Sequence, residues 1–133
     1  MSLYQKGLLF IGSFFLFCFL IGIRIFLQGE FFCNTKIGFG FFEYSKGFLF
    51  LGLFLFVLIG FFLFKSQHFS LRVIFSILLV AGVANIFERI TFGCVLDYIT
   101  LPFIRSHINM ADILITGALG YLLFFTETKD FKK

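Results

Sequence analysis

A chain of 133 residues that is 60% hydrophobic, 14% charged and carries 26 Phe has too little polar surface to cover a soluble globule. Its mean hydropathy is +1.06. Despite a net charge of +4, this composition excludes a soluble enzyme or a nucleic-acid-binding domain and points to an integral membrane protein.

Four runs are free or nearly free of charge: residues 7–23, continuing past Arg24 to Leu27; 47–64; 73–87; and 113–126. At about 1.5 Å per helical residue, the first two cross a hydrocarbon core of about 30 Å with little help. The last two need polar neighbours to reach that length, among them Asn109 and Asp112 for the fourth. None of the runs alternates polar and apolar with the period of two that a membrane barrel requires, so all four read as helices. The first run lacks a small-x-small cleavage site and is followed by further spans, which makes it a retained helix and not a cleaved leader. With both ends and the loop around Lys65 on one side, that side holds Lys6, Lys65, Arg72, Lys129, Lys132 and Lys133. The other side holds Arg24, Lys36, Lys46, Arg89 and Arg105. The modest excess of bases predicts that both termini are cytoplasmic. The expected fold is an all-α integral membrane protein, a four-transmembrane-helix bundle with a small extracytoplasmic extended segment, forming one domain over residues 1–133.

Residues 82–112 concentrate the polar groups. Asn85, Glu88 and Arg89 close one apolar run, Gly93 and Asp97 follow, and Asn109-Met110-Ala111-Asp112 opens the next. Ionisable groups within a membrane cost about 2.5–3.5 kcal/mol each on insertion scales, which marks such a cluster for function. Asn109 and Asp112 also suit a helix start, as N-cap and first-turn acid. Asp97 has no such local role; it lies in Cys94-Val95-Leu96-Asp97-Tyr98-Ile99, an apolar, β-branched run that reads as extended. Two carboxylates brought close share one proton, so that one acts as base toward a water and the other as acid. Asn85 and Arg89 stand i, i+4 on one helix face and can point together into the bundle.

The order Asn85-x-x-Glu88-Arg89, Gly93, Val95-Leu96-Asp97 and Asn109-x-Ala111-Asp112 resembles the signature region of the lipoprotein signal peptidases, signal peptidase II. That family carries Asn-x-x-Asp-Arg, a Gly four residues on, Val-Val-Asp and Asn-x-Ala-Asp. Asn34-Thr35-Lys36-Ile37-Gly38-Phe39 is similar to a further family element, Asn-x-Gly-x-x-Phe. The resemblance covers nearly the whole chain and implies an aspartic endopeptidase that cuts signal peptides from diacylglyceryl-modified prolipoproteins just before the lipidated Cys. It implies Asp97 and Asp112 as the catalytic dyad, with Asn34, Asn85, Glu88, Arg89 and Asn109 as substrate-binding or supporting positions. It further implies the bacterial inner membrane with the site facing outward, a lipid-modified prolipoprotein and membrane lipids as partners, and a monomer. No cofactor is expected: His68 and His107 have no companions at metal-ligand spacing.

The chain departs from the family at four places. Glu88 stands for Asp, which leads to the expectation that Asp is tolerated there. Lys36 stands for Gly, and a first-span Asp-x-x-x-Lys pattern is represented only by Leu20 and Arg24. The short connection between Arg24 and Asn34 suggests that a small extracytoplasmic sheet is reduced. Cys33 and Cys94 both fall on the outer side and can pair in an oxidising compartment, although such residues more often serve as small apolar side chains. The pairs Gly47, Gly52 and Gly117, Gly120 suit close helix packing.

Overall fold

The computed structural model describes residues 2–27, 32–37, 42–43, 46–66, 68–103 and 106–125. Helix α1 (Leu3–Phe26) starts at Ser2, whose hydroxyl accepts the Gln5 N–H at 3.2 Å while the Gln5 side chain accepts the Ser2 N–H. This reciprocal cap satisfies two of the donors that a helix start leaves free. Short strands β1 (Phe32–Asn34), β2 (Lys36–Ile37) and β3 (Phe42–Glu43) lead to α2 (Lys46–Lys65), followed by α3 (Phe69–Phe92). Strands β4 (Val95–Asp97), β5 (Ile99–Leu101) and β6 (Ser106–Ile108) then precede α4 (Met110–Phe125).

Helix α3 is the hub, packed against α1, α2 and α4. Ser76, Ala81 and Ala84 place small side chains on its inward face, which lets the neighbours approach closely. Ala81 and Ala84 are buried against Leu20 of α1 and Ala111 of α4, with Leu16, Phe17 and Leu114 around them. On the α2 side a Cβ at Gly52 would lie 3.4 Å from Ile86, and one at Gly82 only 2.7 Å from the Phe56 ring. Gly117 and Gly120, expected at a close helix contact, have nothing within 4 Å of a Cβ. Gly47 lies where no side-chain surroundings are described.

The outer surfaces of α1 and α2 are apolar. Phe10, Phe14, Phe15 and Phe19 on α1, and Phe54, Val57 and Phe61 on α2, are all exposed. Exposed apolar faces of this kind are suited to lipid. Helices α1 and α3 are each 24 residues, long and apolar enough to cross a membrane, whereas the apolar helix at Met110–Phe124 is shorter.

Helix α3 is longer than its uncharged run because the added polar residues find partners. At the start, Arg72 donates from Nε to the Ser66 carbonyl at 2.7 Å. At the end, Glu88 pairs with Arg24. The helix stops at Gly93, whose φ of 77° is left-handed and whose N–H bonds the Arg89 carbonyl at 3.0 Å.

One expectation is corrected at this end of the bundle, that of the cysteines. After the short connection from Arg24, β1 pairs antiparallel with β4, with Phe32 opposite Asp97, Cys33 opposite Leu96 and Asn34 opposite Val95. Further antiparallel pairs join β2 with β3 and β5 with β6. Cys33 and Cys94 are not merely apolar fillers: they form a disulfide with their Cα atoms 5.6 Å apart. It closes a loop with a sequence separation of 61, worth on the order of 4 kcal/mol in the chain-entropy account.

Candidate active site

Strand β4 and the first turn of α4 carry the two aspartates to one place. Strand β4 begins two residues after Gly93, so the left-handed turn that ends α3 leads into Val95–Asp97. Along β4, Val95 and Asp97 are each only 2% exposed, while Leu96 points the other way, as strand alternation dictates. Asp97 is therefore a carboxylate almost wholly removed from solvent. Its two oxygens are each held by an amide: Asn34 donates from Nδ2 to Oδ2 at 2.7 Å, and Asn109 from Nδ2 to Oδ1 at 3.1 Å.

Asn109 joins this carboxylate to the second. Its side-chain oxygen accepts the Asp112 N–H at 3.0 Å, and its own backbone N–H donates to Asp112 Oδ2 at 3.3 Å. This is a reciprocal helix cap, as the sequence suggests. The other Asp112 oxygen, Oδ1, accepts from Asn85 Nδ2 at 3.1 Å, and Asn85 Oδ1 accepts in turn from Asn109 Nδ2 at 3.3 Å. Asn109 thus donates to both aspartates, and every oxygen of the pair accepts from at least one protein donor.

Burial raises the proton affinity of Asp97 above the ordinary carboxylate range, as does the charge of Asp112, while the hydrogen bonds from Asn34 and Asn109 and the charge of Arg89 oppose the shift. Arg89, one turn beyond Asn85 on α3, acts electrostatically on both carboxylates.

Glu88 does not face the aspartates. Its Oε2 accepts from Arg24 Nη1 at 2.7 Å and from the backbone N–H of Leu96 at 2.9 Å. Arg24 also donates to the Cys94 carbonyl at 3.4 Å and lies 4.0 Å over the Phe92 ring. One ion pair therefore fastens α1 and α3 to the strand that carries Asp97.

All seven site residues read from the sequence meet at this end of the bundle: Asp97, Asp112, Asn34, Asn85 and Asn109 in one hydrogen-bonded network, Arg89 through its charge, and Glu88 one step behind. Sequence reasoning missed Tyr98, whose hydroxyl accepts the Met110 N–H at 2.9 Å and satisfies another free donor of α4. The only available signal was a Tyr beside a candidate Asp, since a partly buried hydroxyl needs a partner.

Residues 7–128 match the family model described as signal peptidase (SPase) II. The chain is similar to the lipoprotein signal peptidase of Helicobacter acinonychis (strain Sheeba), 32% identical over 115 residues that make up 83% of this chain and 71% of the relative. It is 31% identical, over the same shares, to that of Helicobacter pylori (strain HPAG1). Among solved structures, its fold matches a bacterial membrane enzyme with TM-score 0.78 at 17% identity, over 96% of this chain and 92% of the other.

Proposed function

This chain belongs to the signal peptidase II family and removes signal peptides from prolipoproteins, and from that premise we propose that it does so as an aspartic endopeptidase with Asp97 and Asp112 as the catalytic pair. The observation that carries the proposal is the shared anchoring of both carboxylates by Asn109, which ties the buried Asp97 to the half-buried Asp112. The charge of Asp112 raises the proton affinity of Asp97, so on this reading the pair holds one proton between them. The ionised member takes a proton from a water as its oxygen attacks the scissile carbonyl carbon. The protonated member gives its proton to the carbonyl oxygen; as the tetrahedral intermediate collapses, the aspartate that took the water's proton passes it to the departing amide nitrogen, and the other aspartate regains a proton from a hydroxyl of the intermediate. Asn34, Asn85 and Asn109 fix the carboxylates, and the positive charge of Arg89 limits the cost of their negative charge.

The substrate on this reading is a diacylglyceryl-modified prolipoprotein cut just before its lipidated Cys. A lipid-anchored chain presents that bond at the membrane interface, and the aspartates stand at the end of the helix bundle, where the apolar helices give way to short strands. The four helices α1 to α4 all span the bacterial inner membrane, with both termini cytoplasmic and the site facing outward. The Cys33–Cys94 disulfide supports this orientation, because such bonds persist in oxidising compartments and this one lies at the aspartate end.

Processing of a lipidated prolipoprotein reporter by the purified protein tests the proposal. Asp97→Asn and Asp112→Asn are each expected to abolish cleavage in protein that remains folded and membrane-inserted, because Asn cannot exchange a proton with the attacking water. The double variant should be no worse than either single, as expected for members of one unit. Retained cleavage in either single variant at normal expression sinks the aspartic mechanism.

A further inference from the structure

Strand β1 is three residues long, and Phe32 and Cys33 on it are exposed. A two-stranded ladder of that length is marginal by itself. Yet β1 delivers Asn34, which is buried and makes the 2.7 Å bond to Asp97. Directly before Asn34 stands Cys33, covalently joined to Cys94 at the entrance to β4. We propose that Cys33 and Cys94 are positioning residues for the peptidase reaction: their disulfide clamps β1 onto β4, holds Asn34 on the Asp97 carboxylate, and makes full activity a property of the oxidised protein. This deepens the aspartic reading, since it rests on Asp97 being catalytic.

Accessibility and charge both favour a bond that can be opened and closed. The Cys33 end is exposed, whereas Cys94 is only 2% exposed. Arg24 Nη2 lies 4.0 Å from Cys94 Sγ. A thiolate of an external dithiol attacks Cys33 Sγ and forms a mixed disulfide, breaking the Cys33–Cys94 bond and expelling Cys94 as a thiolate beside the Arg24 guanidinium, which favours that leaving group. The second thiolate of the dithiol attacks its own sulfur in the mixed disulfide, releasing Cys33. The dithiol is oxidised to a disulfide, and two electrons and two protons end on Cys33 and Cys94. Closure is the reverse exchange with a protein disulfide of the extracytoplasmic compartment, which is reduced as the clamp forms.

The test uses the full chain with Cys18→Ser, which removes the exposed free thiol on α1. As purified under oxidising conditions, that protein should offer no thiol to a maleimide under denaturation; two reactive thiols would overturn the inference. Dithiothreitol treatment of the folded protein, assayed below its melting temperature, should lower kcat by about tenfold to a hundredfold, the range of one lost hydrogen bond to a charged group. KM should stay unchanged, because the bond that loosens is the one from Asn34 to Asp97. Reoxidation should restore the rate. Cys33→Ser with Cys94→Ser should behave like the reduced protein. Asn34→Ala should already be slow, with no further loss on reduction. The limb of the pH–kcat profile set by Asp97 should move upward both on reduction and in Asn34→Ala, since the Asn34 bond favours the ionised form and the charges of Asp112 and Arg89 are unchanged. Full-rate cleavage by the reduced protein overturns the clamp. So does an equal loss on reduction in Asn34→Ala, which would make the bond a general fold staple. An oxidised Asp97→Asn protein run alongside tests the aspartic reading separately: activity there refutes the dyad whatever the redox result.

Discussion

Glu88→Ala should be the most damaging single change near the site that touches neither aspartate. The Glu88 and Arg24 side chains are 10% and 15% exposed, so their 2.7 Å pair is largely out of water. Removing one partner of a buried pair costs about 3–5 kcal/mol, because the other charge remains uncompensated. Arg24 would keep the Cys94 carbonyl at 3.4 Å, the Cys94 sulfur at 4.0 Å and the face of Phe92, none of them a charge. The Leu96 N–H, which now donates to the same Glu88 oxygen, would be orphaned at a further cost of about 1 kcal/mol. Against a total stability of about 5–15 kcal/mol for a typical protein, the loss is large. It also falls on the strand that carries Asp97, so cleavage should fall with stability. The resembled motif has Asp at this position, but the geometry argues against Glu88→Asp being neutral. A side chain shorter by one methylene cannot keep one oxygen on both Arg24 and Leu96, so this variant should lie between parent and alanine. The assay is denaturant unfolding in detergent, run with Arg24→Met and with the double variant Arg24→Met/Glu88→Leu. The double variant should recover most of the loss, since neither charge is then buried alone. A Glu88→Ala protein within about 1 kcal/mol of the parent, or simple additivity in the cycle, refutes this reasoning.

Asp97 should make stability fall as pH rises. Its folded-state pKa lies above the unfolded value of about 3.9, so its contribution is fully present below that pH and is lost as pH climbs through the folded value. Melting temperatures from pH 4 to 8 should show a downward component that Asp97→Asn lacks; a difference between the two proteins that stays constant with pH contradicts the shift. Asn109→Ala should cost about 1 kcal/mol through loss of the cap and also slow cleavage, whereas Asn109→Ser should recover the stability but not the rate, because Ser can cap α4 but is too short to reach Asp97. Recovery of both in the serine variant would reduce Asn109 to a cap. Gly82→Ala should cost about 1–3 kcal/mol by driving a methyl into the Phe56 ring, with relief from Phe56→Leu; an unfolding midpoint equal to the parent's would show that α2 yields freely.

The helices and the grouping of the site residues are legible in the sequence because both depend on short-range pattern. Long apolar runs demand helices in lipid, and Asn109 and Asp112 sit at cap spacing whatever they face. The extended character of Val95–Asp97 is also visible, from its β-branched and apolar residues after a Gly. The ends of α3 are not, since a scan for uncharged residues stops before Glu88 and cannot know that Arg24, 64 positions earlier, neutralises it. The pairing of β1 with β4 is equally hidden: a three-residue strand has no register of its own, and its partner lies beyond two helices. The disulfide was open for the same reason. Three cysteines offer three pairings, and only the approach of β1 to the end of α3 selects Cys33 with Cys94. Tyr98 escapes because its role is set by Met110, which a turn of unrelated sequence brings within reach.

A helix cap and the proposed catalytic carboxylate are compatible roles for Asp112, because one set of atoms can serve both. The cap occupies Oδ2 through the Asn109 backbone, and this leaves Oδ1 turned toward Asn85 and the interior of the bundle. The same cap fixes the Asn109 side chain, whose oxygen is engaged by the Asp112 N–H, so its amide nitrogen has only one direction left to donate, toward Asp97 and Asn85. Starting α4 therefore orients the residue that ties the two aspartates together. Local helix chemistry, worth about 1 kcal/mol, can position the pair only because β4 is held from behind by Glu88 and from the side by the disulfide-linked β1. Each aspartate alone has a structural reason to be where it is or a partner to lean on; it is the common donor, Asn109, that makes them one site.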